Sequence, residues 1–335
     1  MKYLFSSLFS AFKTLFFLAL GTGLLYFSFR NTNPQQMLEE TRNADYFWVG
    51  MSVLVGLVAY YSRAARWLLL LEPLGYKPKI SNRLYSVVFG YFANMAAPRI
   101  GEIARCSALN KVEKIPLDLL IGTVILERVL DVLILLFLVG VVFLLNLQRF
   151  GSFFINIFQD KINSLNGKTG TDFLYLSFML AILFASAIFL FRKKIQAIPV
   201  AKKVERFLRG VLDGFATIGK MEKKYLFILY TGIIWLSYIM MTFVGFFALK
   251  ATTHLSFSDG IFITVAGGIG MAAPANAGIG TFHTAVMFAL AAIGIEKNAG
   301  LAFAVIMHAS QMLFIVVAGT VSFVMLYIEK KKLMR

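Results

Sequence analysis

"NMAAPRIGE" (94–102) and "GMAAPANAGIG" (270–280) share one tetrapeptide, Met95-Ala96-Ala97-Pro98 and Met271-Ala272-Ala273-Pro274, 176 residues apart. Each copy ends a short apolar stretch, and glycine follows: Gly101 after the first, Gly278 and Gly280 after the second. The stretches leading in, "LYSVVFGYFANMAAP" (84–98) and "GIFITVAGGIGMAAP" (260–274), have 15 residues each. Helices of that length run only ~22 Å, short of the ~30 Å hydrocarbon core of a bilayer. Proline lacks an N–H and disfavours helix in the residue before it. The pattern predicts two half-helices that enter a membrane, break and turn back.

The rest of the chain agrees with a membrane setting. Apolar residues make up 59% of 335 residues, more than a water-soluble domain uses. Six segments read as full spans, near 11–29, 45–62, 116–146, 173–191, 225–249 and 299–328. The third is too long for one perpendicular crossing, so it tilts or protrudes. No small-x-small cleavage pattern follows the first segment, which reads as an uncleaved span rather than a signal peptide. The expected fold class is all-α, a polytopic membrane helix bundle of six spanning helices plus two re-entrant broken-helix hairpins, in one transmembrane domain over 1–335.

Net charge is +16. Nucleic-acid binding is the sharper reading of such a charge. The positive-inside rule is the simpler one, because Lys and Arg gather in cytoplasmic loops against anionic lipid. With a cytoplasmic N-terminus and both broken stretches returning to the side they left, the inner segments hold 25 Lys/Arg and the outer segments 7, with Arg128 inside a span. That topology places both termini in the cytoplasm. Each half, about 11–146 and 173–328, then reads span, span, broken segment, span, with the second half upside down. Inverted repeats of this kind, with discontinuous helices in matching positions, mark the binding site of secondary transporters. The loop 192–224 carries Val204, Phe207, Leu208, Val211, Leu212 and Phe215 on one face and basic residues on the other, the pattern of an interfacial helix on anionic lipid.

Broken backbone at membrane depth needs protein or a water-filled cavity around it. Pro98 and Pro274 therefore point to a polar interior. The half-helix that starts after each should aim its free N–H groups and positive dipole end there, a setting suited to phosphate. The polar side chains fit: Arg99, Glu102 and Arg105 after the first break, then Glu127, Arg128 and Asp131 in the third span. A charge at the centre of a membrane helix costs about 2.5–3.5 kcal/mol on insertion scales, so three in five residues should face one another, the hairpins or water. They form either a salt-bridge cluster that holds helices together or a phosphate-binding or proton-coupling cluster. In the second half, Asn276, Thr281 and His283 follow the break, and His308 and Gln311 share a face of the last span. These are packing hydrogen-bonders or a relay and headgroup contact. Arg63 and Arg66, beside Trp67, read as snorkelling anchors at the cytoplasmic end of the second span, with headgroup binding as the alternative. The lone Cys106 excludes an internal disulfide. No nucleotide loop, metal-ligand cluster or nucleophile motif occurs, so no cofactor, metal or catalytic residue is expected.

"RAARWLLLLEPLG", "GYFANMAAPRIGEIAR", "LERVLD", "AAPANAGIGTFH" and the His308–Gln311 pair resemble the lysylphosphatidylglycerol synthase transmembrane region family, also called the flippase-like domain family, from about residue 10 to 328. In bifunctional members such a membrane domain moves aminoacylated phosphatidylglycerol across the bilayer, and a separate domain makes it. With the sequence ending at "IEKKKLMR", the resemblance implies the translocating part without the synthetic part. It also includes an archaeal protein linked to sugar transfer from a lipid carrier. Carried onto this chain, it picks out Arg99, Gly101, Glu102, Arg105, Glu127, Arg128, Asp131, Pro274, Gly278, Gly280, His308 and Gln311. The expectation is a translocator of a phosphate-bearing lipid in the cell membrane, with membrane lipids as partners, homo-oligomers allowed and no nucleic acid. The alternative is an integral-membrane transferase that uses a lipid-linked donor.

Overall fold

A computed structural model describes residues 19, 21–26, 28–30, 32–97, 100–145, 221–273 and 275–334. The predicted span 173–191, most of the span 11–29 and most of the loop 192–224 fall outside these residues, as do Pro98, Arg99 and Pro274. All regular elements among the described residues are helices: α1 (Pro34–Arg42), α2 (Tyr46–Leu71), α3 (Ile80–Ala96), α4 (Ile100–Glu113), α5 (Leu117–Leu145), α6 (Lys224–Gly245), α7 (Phe257–Ala272), α8 (Thr281–Ala292) and α9 (Lys297–Lys332). One-turn 3-10 helices occupy Glu72–Leu74, Phe246–Ala248 and Asn276–Gly278. The chain divides into two compact units, Met1–Asp131 with Met221–Arg335, and Val132–Lys220. Apart from the continuation of α5 past Asp131, everything below concerns the first.

Among the described residues, four helical segments are long and apolar enough to cross a membrane: Tyr46–Leu74, Leu117–Leu145, Lys224–Ala248 and Lys297–Lys332. They coincide with four of the six predicted spans. One boundary needs correction. The span predicted to end at 62 continues as helix to Leu71, because Arg63 and Arg66 find carboxylates inside the protein and need not leave it.

Local chemistry sets the helix ends. Asn33 and Asp45 cap α1 and α2 by accepting the N–H of Gln35 and Phe47. Ser256 and Asp259 form a reciprocal capping box on α7. Ahead of each proline the backbone turns extended, as expected: Ala97 has φ −154° and ψ 148°, and Ala273 has φ −61° and ψ 146°.

After each break the chain folds back against itself. Helices α3 and α4 pack antiparallel, with Gly90 against Gly101 and Arg105. A Cβ on Gly101 would collide with the Gly90 carbonyl oxygen, so this crossing admits only backbone. Both ends of the hairpin meet at Glu113, whose carboxylate accepts the N–H of Lys79 and the amide of Asn82 at 3.0 and 2.7 Å. Helices α7 and α8 pair likewise, with Gly267 and Gly270 against Phe282. Helix α3 also packs on the 3-10 turn Asn276–Gly278, so the two breaks come together.

Helices α2 and α6 form the most extensive helix pair and run antiparallel: Ser52 donates to the Met241 carbonyl, while Arg66 donates to Thr231. Two apolar cores lie along them. One joins Val49 to Phe246, Leu290 and Phe303. The other joins Trp67 and Leu71 to Leu109, Leu120 and Leu326.

Candidate functional site

Seven charged side chains from three helices meet beside the second core. Helix α2 supplies Arg63 and Arg66, three residues apart and therefore on one face. Helix α4 supplies Glu102 and Arg105, and α5 supplies Glu127, Arg128 and Asp131. Asp131 accepts from Arg63 Nη1 at 2.9 Å through Oδ2 and from Arg66 Nη2 at 3.0 Å through Oδ1. Arg105 pairs directly with Glu127, and Arg66 Nε lies 3.9 Å from the other Glu127 oxygen. The Arg105 guanidinium also stacks over Trp67, 4.6 Å from its ring centroid, while the Trp67 indole N–H donates to Thr123. Helix α6 closes the cluster: Tyr238 accepts from Arg63 and Thr231 from Arg66, at 3.1 and 3.2 Å.

Exposure separates two layers. The side chains of Arg66 and Glu127 are 0% exposed, whereas Arg128 and Glu102, paired at 3.0 Å, are 40% and 26% exposed. Desolvating an ion costs several kcal/mol even after relaxation, and only close pairing offsets it. The inner members are thus locked by one another. Arg128 and Glu102 form a more exposed lip, where Arg128 also lies 3.8 Å from Asp131. Four guanidiniums face three carboxylates, which leaves one surplus positive charge among the described residues.

Sequence reasoning had grouped Glu102, Arg105, Glu127, Arg128 and Asp131, and the geometry brings them together. The anchor reading of Arg63 and Arg66 needs correction, because both are buried and paired rather than reaching an interface. Their partner Asp131 lies 68 and 65 residues away, so no local pattern marks the contact. Thr231 and Tyr238 were missed for the same reason.

Around the second break, the His308 Nε2–H donates to the Ala277 carbonyl at 2.9 Å. Ala277 has φ 47°, Gly278 77° and Gly280 83°; these positive-φ residues, interrupted by Ile279 at φ −59°, turn the chain into α8, and glycine suits 278 and 280. His283 and His308 meet edge to face, ring centroids 4.8 Å apart, and Phe282 stacks on His308 at 5.1 Å. Asn276 and Gln311 flank this group. The second set stands apart from the charged cluster and contains no charged pair among the described residues.

One backbone N–H at each break is taken up inside its own hairpin. The Gly101 N–H donates to Asn94 Oδ1 at 2.7 Å, and the Gly280 N–H donates to His283 Nδ1 at 3.3 Å. Each hairpin supplies an acceptor to the start of its own returning helix, because an orphan donor there is costly without water.

A family model described as "Lysylphosphatidylglycerol synthase TM region" matches residues 14–319. The chain belongs to that family. A UPF0104 membrane protein of Methanocaldococcus jannaschii is 32% identical over 110 residues, which cover 32% of this chain and 29% of the relative. The chain thus spans under a third of that curated relative's length. No solved structure matches. Family membership and the apolar helices together make this a multi-pass membrane protein with a lipid-related role.

Proposed function

We propose that this chain moves a phosphate-bearing lipid between leaflets, its headgroup passing through the polar interior while its tails stay in the bilayer. The observation that carries the reading is the half-exposed Arg128 at the lip of a cluster with one surplus positive charge. A monoanionic phosphate is the natural complement of that charge, and guanidinium is suited to bind it in a bidentate way.

The architecture supports the same reading as an inverted repeat. Both halves run long helix, one-turn 3-10 helix, hairpin, long helix, and α2 and α6 are antiparallel. The hairpin α3–α4 leaves and rejoins the end that holds Lys79 and Glu113. The hairpin α7–α8 leaves and rejoins the opposite end, where the Asp45 N–H donates to the Ala248 carbonyl. The first end carries Lys77, Lys79, Lys111, Lys114, Lys223, Lys224 and Lys330 to Lys332; the other carries fewer basic residues, Arg30, Arg42, Lys250 and Lys297, beside Glu39, Glu40, Asp45 and Glu296. The positive-inside rule makes the first end cytoplasmic, in a cell membrane with both termini inside.

The test is reconstitution in proteoliposomes with a fluorescent phospholipid. Arg128→Ala should reduce transbilayer movement to the rate of protein-free vesicles while the protein still inserts. Unchanged movement removes the assignment. The transferase reading draws on Glu102, whose Oε2 has no hydrogen-bond partner among the described residues and could act as a base. Product formation from a lipid-linked donor, lost in Glu102→Gln and detected by mass spectrometry, would favour it.

A further inference from the structure

The polar groups do not stop at the charged cluster. Gly56, Tyr60 and Arg63 follow one another on a single face of α2 at helical spacing. Arg63 reaches Asp131 and Tyr238. One turn back, Tyr60 meets the rings of Tyr91 and Phe314 at 5.2 and 5.8 Å. A further turn back, Gly56 lies against Gln311; a Cβ there would sit 3.5 Å from Gln311 Oε1. Helix α9 then carries the line to the second break, where His308, one turn from Gln311, holds the Ala277 carbonyl beside Asn276.

At that end the chain leaves hydrogen-bonding capacity unused. Gln311 Oε1, Gln311 Nε2 and Asn276 Oδ1 are all buried and have no partner among the described residues. An amide buried without partners costs free energy, and more so where the surroundings are lipid rather than water. Two amides supply donors and acceptors but no charge. They match hydroxyl or amide groups and supply no opposite charge to offset the burial of an ammonium or a second phosphate.

We infer that Asn276 and Gln311 bind the uncharged, hydrogen-bonding part of a lipid headgroup whose phosphate is held at the charged cluster. This deepens the translocator reading and rests on it for the placement of the phosphate. Gly56, beside Gln311, and Arg63, which shares Asp131 with Arg128 at 2.9 and 3.8 Å, are separated by about 10 Å of helix. A headgroup held at both ends therefore carries a polar group of several atoms beyond phosphorus, glycerol-sized or larger. A lipid with only a methyl group on its phosphate has the same charge and cannot reach the amides.

That pair of lipids is the experiment. Thermal unfolding of the purified full chain in detergent is followed with dioctanoyl phosphatidylglycerol and with dioctanoyl phosphatidylmethanol, each a monoanion. The wild type should gain a few degrees more with the glycerol headgroup. Gln311→Leu and Asn276→Ala should reduce the gain to that seen with the methyl headgroup, and that response should itself persist. Equal gains with both lipids in the wild type overturn the inference. So does a preference retained in both variants, or loss of both responses, since the amides then do not distinguish the headgroups. Transbilayer movement is measured separately on the same preparations. A glycerol preference without movement sinks the translocator reading and leaves the amide site standing.

Discussion

Arg63 and Arg66 share one carboxylate: Asp131 receives the first on Oδ2 and the second on Oδ1, at 2.9 and 3.0 Å. Two guanidiniums on one helix face thus depend on a single acid from α5. Removing that acid leaves buried positive charge without its counterpart, which costs on the order of 3–5 kcal/mol. Asp131→Asn should therefore destabilise the protein by about that much, read as a lowered denaturation midpoint in detergent. Arg63→Gln combined with Asp131→Asn should recover part of the loss. A single variant as stable as wild type would show that the pairing contributes nothing to holding α2 on α5.

Arg105 is held in two ways, by Glu127 and by the face of Trp67. Lysine can keep the charge but cannot both stack and present a planar fork. Arg105→Lys should cost about 1–3 kcal/mol by loss of the charged hydrogen bond and the stacking contact, and Arg105→Ala more, because Glu127 is then buried alone. The measurement is again unfolding in detergent, and equal stability of Arg105→Lys and wild type contradicts the argument.

The parts of this fold visible in the sequence are those written in local pattern. Ala97 and Ala273 precede prolines, so the two breaks were readable, as were four long apolar helices and the acidic and basic residues of α4 and α5. Arg63 and Arg66 were not readable as cluster members. Basic residues followed by Trp67 look the same whether they snorkel to an interface or meet an acid inside, and the acid lies over 60 residues away. Asn94 was hidden likewise: an asparagine before a break carries no sign that its side chain will serve Gly101. The Asn276–Gln311 group was legible only as polar residues, because their shared surroundings arise from the return of α9 past the second break.

Gly101 and Gly90 set how closely α3 and α4 approach. A side chain at Gly101 would meet the Gly90 carbonyl and the Asn94 amide, and neither can move without opening the hairpin. Gly101→Val should destabilise by about 1–3 kcal/mol, the usual cost of forcing extra atoms into a packed site, and should make the 94–101 turn more accessible to protease. Gly122, where nothing lies within 4 Å of an added Cβ, is the control: Gly122→Ala should leave stability unchanged or slightly raised, since alanine favours helix. Comparable losses at both positions would mean that the crossing is not tight.

Arg128 separates the two roles a charged cluster can play. If the cluster only held helices together, each member would matter to stability in proportion to its burial. The Arg128 side chain is 40% exposed and pairs with a Glu102 that is 26% exposed, and exposed pairs contribute about 0–1 kcal/mol. Its removal should barely move the denaturation midpoint. If the lip receives a lipid phosphate, the same removal abolishes transbilayer movement. Arg128→Ala is therefore expected to match wild type in stability within about 1 kcal/mol while losing movement, and Arg128→Lys should restore part of it, since a lysine keeps the charge without the fork. Normal movement in a stable Arg128→Ala protein would assign the lip to structure alone. A large drop in stability would show instead that the pair with Glu102 is shielded from water.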